Sequence, residues 1–201
     1  MAYKQHFIEW FSGKQIPSYW DFTQVSATAT GAMYDGVDGG YRITTSATTG
    51  ARGEIDFGDK RQFDLASSEC IVSIRYDDTN YSRVMAGLSV GGGIVENQTT
   101  SNHYTFGLQS NENLSYLYTK DSSGNSSTDS GVDPLTNWQT AKMVSNGSDV
   151  KLYLFESGSW SLKVTKTTNK PTGNGQPYFG QWTPTAVATW GEINYMECYN
   201  T

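Results

Sequence analysis

Apolar and polar residues alternate one for one along much of the chain, most cleanly between Asn137 and Lys166. There Val150, Leu152 and Leu154 fall on one side of a two-residue period, and Lys151, Tyr153 and Phe155 fall on the other. Further on, Trp160, Leu162 and Val164 alternate with Ser161, Lys163 and Thr165. A period of two belongs to a β-strand, whose successive side chains point to opposite faces. Asn146-Gly147 and Ser157-Gly158 separate the runs and supply the left-handed backbone that short hairpin turns need. The stretch therefore predicts a three-strand meander over Gln139–Val144, Val150–Phe155 and Trp160–Thr165, with Trp160 on the buried side beside Leu162 and Val164. A meander cannot bury its apolar face alone, so a second sheet must cover it.

The same reading carried outward predicts strands at Phe7–Phe11, Tyr41–Thr45, Gly53–Phe57, Cys70–Tyr76, Arg83–Val90, His103–Gln109, Leu114–Thr119 and Glu192–Tyr199. Pro17 excludes a helix interior near the start. The segment Asp121–Ser130 has no apolar member and reads as an exposed loop, Pro171–Pro177 as a Gly-rich turn, and Trp182–Trp190 as a crossover. Trp10, Trp20, Trp138 and Trp190 sit at strand starts or ends and read as plugs of the core. No stretch predicts a helix. The expectation is an all-β sandwich of two antiparallel sheets, built as one domain over residues 1–201.

Composition agrees with this and narrows the partners. Glycine at 21 residues and aromatics at 13% suit short strands joined by tight turns. A net charge of -6, with no cluster of Lys and Arg, argues against nucleic acid as a partner. No run approaches the roughly 20 apolar residues of a membrane-spanning helix, and Lys4, Gln5, His6, Glu9 and Lys14 interrupt any leader-like segment, so the expectation is a soluble protein with no membrane partner. Cys70 and Cys198 each lie within a predicted strand and read as buried thiols, with pairing left open should their strands be neighbours. His6 and His103, the only histidines, are too few for a zinc site of the histidine type.

The order of features resembles a known architecture. A strand and turn ending in Trp20, then GGYRITTS, GEIDFGDKRQF, the Trp138-led WQTAKM, DVKLYL and a closing INYMECYNT are together similar to a concanavalin A-like lectin/glucanase (laminin G-like) jelly roll over nearly the whole chain. GGYRITT, KRQF and MECYNT are most similar to domains of tailed-phage structural proteins. The resemblance implies a non-enzymatic virion structural protein, a capsid decoration or tail-associated module assembled in the host cytoplasm. It implies as partner a capsid or tail protein, or the chain itself as a homo-oligomer, with residues 1–20 as the attachment segment. Lectin-like binding of a host-surface or environmental glycan is a further implication, and a free carbohydrate-binding module is the alternative.

A third reading rests on Gly53-Glu54-Ile55-Asp56-Phe57-Gly58-Asp59, which resembles the catalytic strand of laminarinase-like glycoside hydrolases. That likeness makes Glu54 the nucleophile, Asp56 the group that tunes it and Asp59 the acid/base. A retaining reaction needs two carboxyls about 5–5.5 Å apart. Glu54 and Asp56 share a strand face, while Asp59 is about one methylene, or roughly 1.5 Å, shorter than the glutamate it replaces. The plainer reading is a strand with its acidic face in water. Tyr116 and Tyr118, on one face of a strand, and Tyr178 and Trp182, in a loop-like segment around Gly180, are the candidate ligand contacts, because sugar rings stack on aromatic faces. No cofactor is expected. Asp77-Asp78 and Asp35 with Asp38 offer oxygen atoms to calcium, as in lectin-type jelly rolls, but nothing fixes a coordination set.

Overall fold

A computed structural model of the chain describes residues 5–34, 39–58, 60, 62–77, 81–91, 102–110, 114–134 and 136–201. Its strands in chain order are β1 (His6–Trp10), β2 (Asp21–Ser26), β3 (Ala29–Met33), β4 (Tyr41–Thr45), β5 (Arg52–Asp56), β6 (Phe63–Asp64), β7 (Ser68–Tyr76) and β8 (Arg83–Ser89). They continue as β9 (His103–Gln109), β10 (Leu114–Asp121), β11 (Gly124–Asp129), β12 (Gln139–Ser145), β13 (Val150–Glu156), β14 (Ser159–Lys166), β15 (Asn174–Trp182) and β16 (Thr189–Asn200). No α-helix occurs among the described residues.

The strands form two antiparallel eight-stranded sheets. Sheet I runs β14-β13-β12-β7-β16-β4-β3, with β1 also paired to β16; sheet II runs β11-β10-β9-β8-β15-β5-β2, with β6 also paired to β15. Between them lies one apolar layer that includes Ile43, Ile55, Val72, Ile74, Phe106, Leu152, Phe179 and Met196. Each contributes from the inward half of its strand's alternation, as expected of stacked sheets. This is a concanavalin A-like jelly-roll sandwich, and the all-β expectation holds.

Several local expectations do not hold, each for a physical reason. Residues 121–130 are not a loop: Asp121 pairs with Gly124, and β11 extends the sheet as a polar edge strand held by its backbone ladder. The predicted Gly-rich turn over Pro171–Pro177 is in its second half already strand, because Gln176 and Pro177 pair with Ser89 and Leu88 of β8. Trp160 is not in the core. Pairing slips by one residue between Leu152 and Tyr153, so Leu152 opposes Val164 on the inner face while Tyr153 opposes Leu162 and Phe155 opposes Trp160 on the outer one. A bulge of this kind moves every residue beyond it to the other face, and Trp160 is 36% exposed. Trp10, at 65% exposure, is likewise no core plug, although Trp20 is.

Trp138 and Trp190 lie on the outer face of sheet I, where they bracket arginines. Arg42 stacks over Tyr34 and Trp190, and Arg75 over Trp138 and Trp190. The side chain of Glu192 is fully buried between the two guanidinium groups and bonded to both. A buried carboxylate is tolerated only when paired in this way.

Candidate functional site

The strand registers set out the outer face of sheet II as rungs that run across it. One rung is Thr23–Glu54–Gly180–Met85–Gly107–Tyr116–Asp129, and the next is Asp21–Asp56–Tyr178–Gly87–Thr105–Tyr118–Ser127. Glycines therefore alternate with tyrosines and a methionine along the floor. At Gly107 a Cβ would stand 2.6 Å from Cζ of Tyr116, so the ring lies directly on the backbone. Met85, Thr105, Tyr118 and Tyr178 are all buried although they point away from the sandwich core.

The four aromatic candidates meet here. Tyr116, Tyr118 and Tyr178 form one apolar cluster with Met85, and Leu114 and Trp182 pack against it. Tyr178 is not in a loop; it lies mid-strand in β15 and is 0% exposed. Trp182 is partly exposed, while Tyr116, Tyr118 and Tyr178 are buried beneath the face. Arg83 covers one side of Trp182, its guanidinium 4.6 Å from the ring centroid. Burial, helped by the neighbouring Tyr116, pushes the Tyr118 hydroxyl up to about 12, against a hydrogen bond with Asn125 that acts the other way.

The acidic strand is also not as expected. Ile55 and Phe57 do point into the core, and Glu54 and Asp56 share the opposite face, but that face is not open water. Glu54 is only 5% exposed, and the Tyr178 hydroxyl donates to its Oε2 at 3.0 Å. Asp56 accepts the Gly58 amide on Oδ1 at 2.7 Å, closing a tight turn in which Gly58 has φ +56. A side chain at Gly58 would run into the carboxylate of Asp21, which β2 places directly opposite Asp56. Three carboxylates, Glu54, Asp56 and Asp21, thus stand at one end of the aromatic face. Sequence reasoning missed Asp21 because β2 carries no clean alternation. Asp59 lies outside the described residues, as do Asp35, Asp38 and Asp78. Among the described residues no group of three or more His, Cys, Asp or Glu side chains is placed to hold a metal ion.

A scan of the sequence against protein-family models finds no match. No curated protein matches it either. The fold does have close counterparts among solved structures. The Bacillus licheniformis β-glucanase is similar at a TM-score of 0.65 and 12% identity, covering 98% of each chain. A prokaryotic β-1,3-1,4-glucanase (lichenase) derived from a mouse hindgut metagenome reaches 0.67 at 11% identity, over 97% of this chain and 98% of that one. The exoplasmic/lumenal domain of VIP36, in its Ca²⁺/Man3GlcNAc-bound form, reaches 0.61 at 12% identity, over 91% and 84%.

These similarities correct the expectation of a non-enzymatic virion protein. The structures that match over nearly the whole chain include several glycoside hydrolases, and nothing among them supports a capsid, tail or decoration role. The expectation that the chain is no enzyme is overturned by the same finding.

Proposed function

We propose that this protein is a glycoside hydrolase that lays a β-linked glucan across the outer face of sheet II and cleaves it at Glu54. The observation that carries the reading is the placement of Glu54. It is a carboxylate sunk to 5% exposure, fixed by the Tyr178 hydroxyl, at the end of a glycine-floored face lined by Tyr116, Tyr118, Tyr178 and Trp182. The glucanase and lichenase folds support it. The glycines of the two rungs let the protein's own rings lie on the strand backbone, as Tyr116 does at Gly107, and the partly exposed Trp182 offers a stacking surface.

In this reading Glu54 attacks the anomeric carbon as the leaving oxygen takes a proton from a neighbouring carboxylic acid, and water then releases the glycosyl group. Asp56 and Asp21 stand beside Glu54 in the described face, and Asp59 follows in sequence as the proton donor that the resemblance implies. Tyr178 acts as a positioning residue, holding the Glu54 rotamer through its hydrogen bond.

Reducing-sugar release from laminarin and from mixed-linkage β-glucan tests the proposal. Turnover is expected, with Glu54→Gln lowering it by roughly 10²–10⁴-fold and Tyr178→Phe by less. Glucan binding without turnover in wild type would leave a lectin-like protein on the same fold and sink the hydrolase reading.

A further inference from the structure

The outer face of sheet I carries a second row of side chains with its own chemistry. Trp10 pairs with Tyr195, Tyr195 with Ser73, and Ser73 with Thr140; the Ala141–Leu154 pair then brings Thr140 beside Phe155, which opposes Trp160. One rung therefore crosses six strands, about 24 Å at the usual strand spacing. It has an aromatic pair at each end and two hydroxyls in the middle. The Trp10 and Tyr195 ring centroids are 4.4 Å apart, and those of Phe155 and Trp160 5.2 Å. Together these residues line an open groove of about 420 Å³, within the range of ligand sites.

Both irregularities of this sheet serve the groove. The slip in β13 and β14 is what turns Trp160 outward, and a second slip between Ile193 and Tyr195 inserts Asn194 as an extra residue that lines the groove. Bulges re-aim side chains, and they gather at sites. Oδ1 of Asn194 is buried and has no hydrogen-bond partner among the described residues. The middle of the rung is polar but uncharged: the Thr140 hydroxyl donates to that of Ser73 at 3.2 Å. Lys142 sits 5.0 Å from the Trp160 ring centroid and 5.1 Å from that of Tyr153.

We infer that this groove is a second binding site for a neutral glycan chain, on the sheet opposite the one that carries Glu54. A row of pyranose rings matches the order of the groove: apolar ring faces for Trp10 and Trp160, and hydroxyls for the Ser73–Thr140 pair between them. An apolar protein partner would cover the Ser73–Thr140 hydroxyl pair with groups that cannot hydrogen-bond to it. None of the residues that line the groove is charged, so a phosphate-bearing ligand finds no cation in its lining. Such a site keeps a polysaccharide at the molecule without touching the reacting bond, and it stands whether or not Glu54 turns substrate over.

Affinity electrophoresis of the full chain in gels containing soluble mixed-linkage β-glucan, laminarin, xylan or galactomannan tests it. At least one glycan is expected to retard the wild type, and the double change Trp10→Ala with Trp160→Ala is expected to weaken that retardation at least tenfold. Both rings are exposed, so a thermal melt should show the variant folded, and its turnover of a short soluble oligosaccharide should match wild type. Trp182→Ala, on the other sheet, should leave part of the retardation in place. Retardation unchanged in the double variant overturns the inference. So does a dimer, seen by sedimentation, that the double variant dissolves while glycan binding persists, since the groove would then be an interface between copies.

Discussion

Trp160 shows how far a single side chain can be read from its neighbours in sequence. Its alternation with Leu162 and Val164 gives a consistent inward face, yet one extra residue opposite β13 divides that set, leaving Val164 inside and the other two outside. Alternation records that two faces differ; it does not record a one-residue slip. Trp160→Ala should therefore cost under about 1 kcal/mol in urea denaturation, as surface changes do, and not the 3–5 kcal/mol of a core tryptophan. A loss in the core range would place the ring back between the sheets. Glu54 was legible as sharing a face with Asp56 but not as buried, because what covers it is Tyr178 from a strand far along the chain.

At the scale of strands, the apolar ones were legible and the polar ones were not. β7, β8, β9 and β12 to β14 announce themselves by β-branched and aromatic alternation, whereas β2 and β11 are edge strands at either end of sheet II, held by their ladders. The cysteines, left open by sequence, are settled as neighbours: Cys70 of β7 pairs directly with Cys198 of β16, and their sulfurs lie 3.0 Å apart. Both are free thiols, and burial pushes the Cys198 thiol well above its usual range. Since the thiolate is the reactive form, the native protein should resist Ellman's reagent, whereas the unfolded chain should yield two thiols. Oxidation during refolding should join the two strands and raise the melting temperature. Rapid labelling of native protein would contradict the burial of this pair.

For the molecule as a whole, the sandwich followed from sequence because two stacked sheets are what alternating strands without helices must build. Which outer face carries the candidate site did not follow, since both outer faces carry aromatics with the same period as the core. The two sheets are also tied at one edge. Lys166 of β14 reaches across to β11 and donates to the Ser126 carbonyl and hydroxyl, both at 2.7 Å. Burial lowers its pKa from 10.5 to about 8. Between those two values the unfolded chain holds a proton that the folded one has released, so Lys166 makes stability rise with pH across that window. Tyr19, Tyr41 and Tyr118, each pushed up to about 12, act in the opposite sense above pH 10, as does the buried Cys198 thiol above about 9. Urea midpoints measured at intervals from pH 7.5 to 10 (roughly the window between the two values) should climb more, or fall less, in wild type than in Lys166→Met. Parallel curves would show that this amine does not titrate there.

The position of β16 bears on how the chain reaches this state during synthesis. It runs through the middle of sheet I, with β7 on one side and β4 and β1 on the other, and Cys198 meets a partner 128 residues earlier. Until residues 189–200 have left the ribosome, β7 and β4 have no strand between them, and their unpaired edges must wait through the making of β8 to β15. Contacts so distant in sequence form slowly, and open strand edges invite pairing with other chains. Nascent chains are therefore most exposed to aggregation, and most in need of a chaperone, just before that strand emerges.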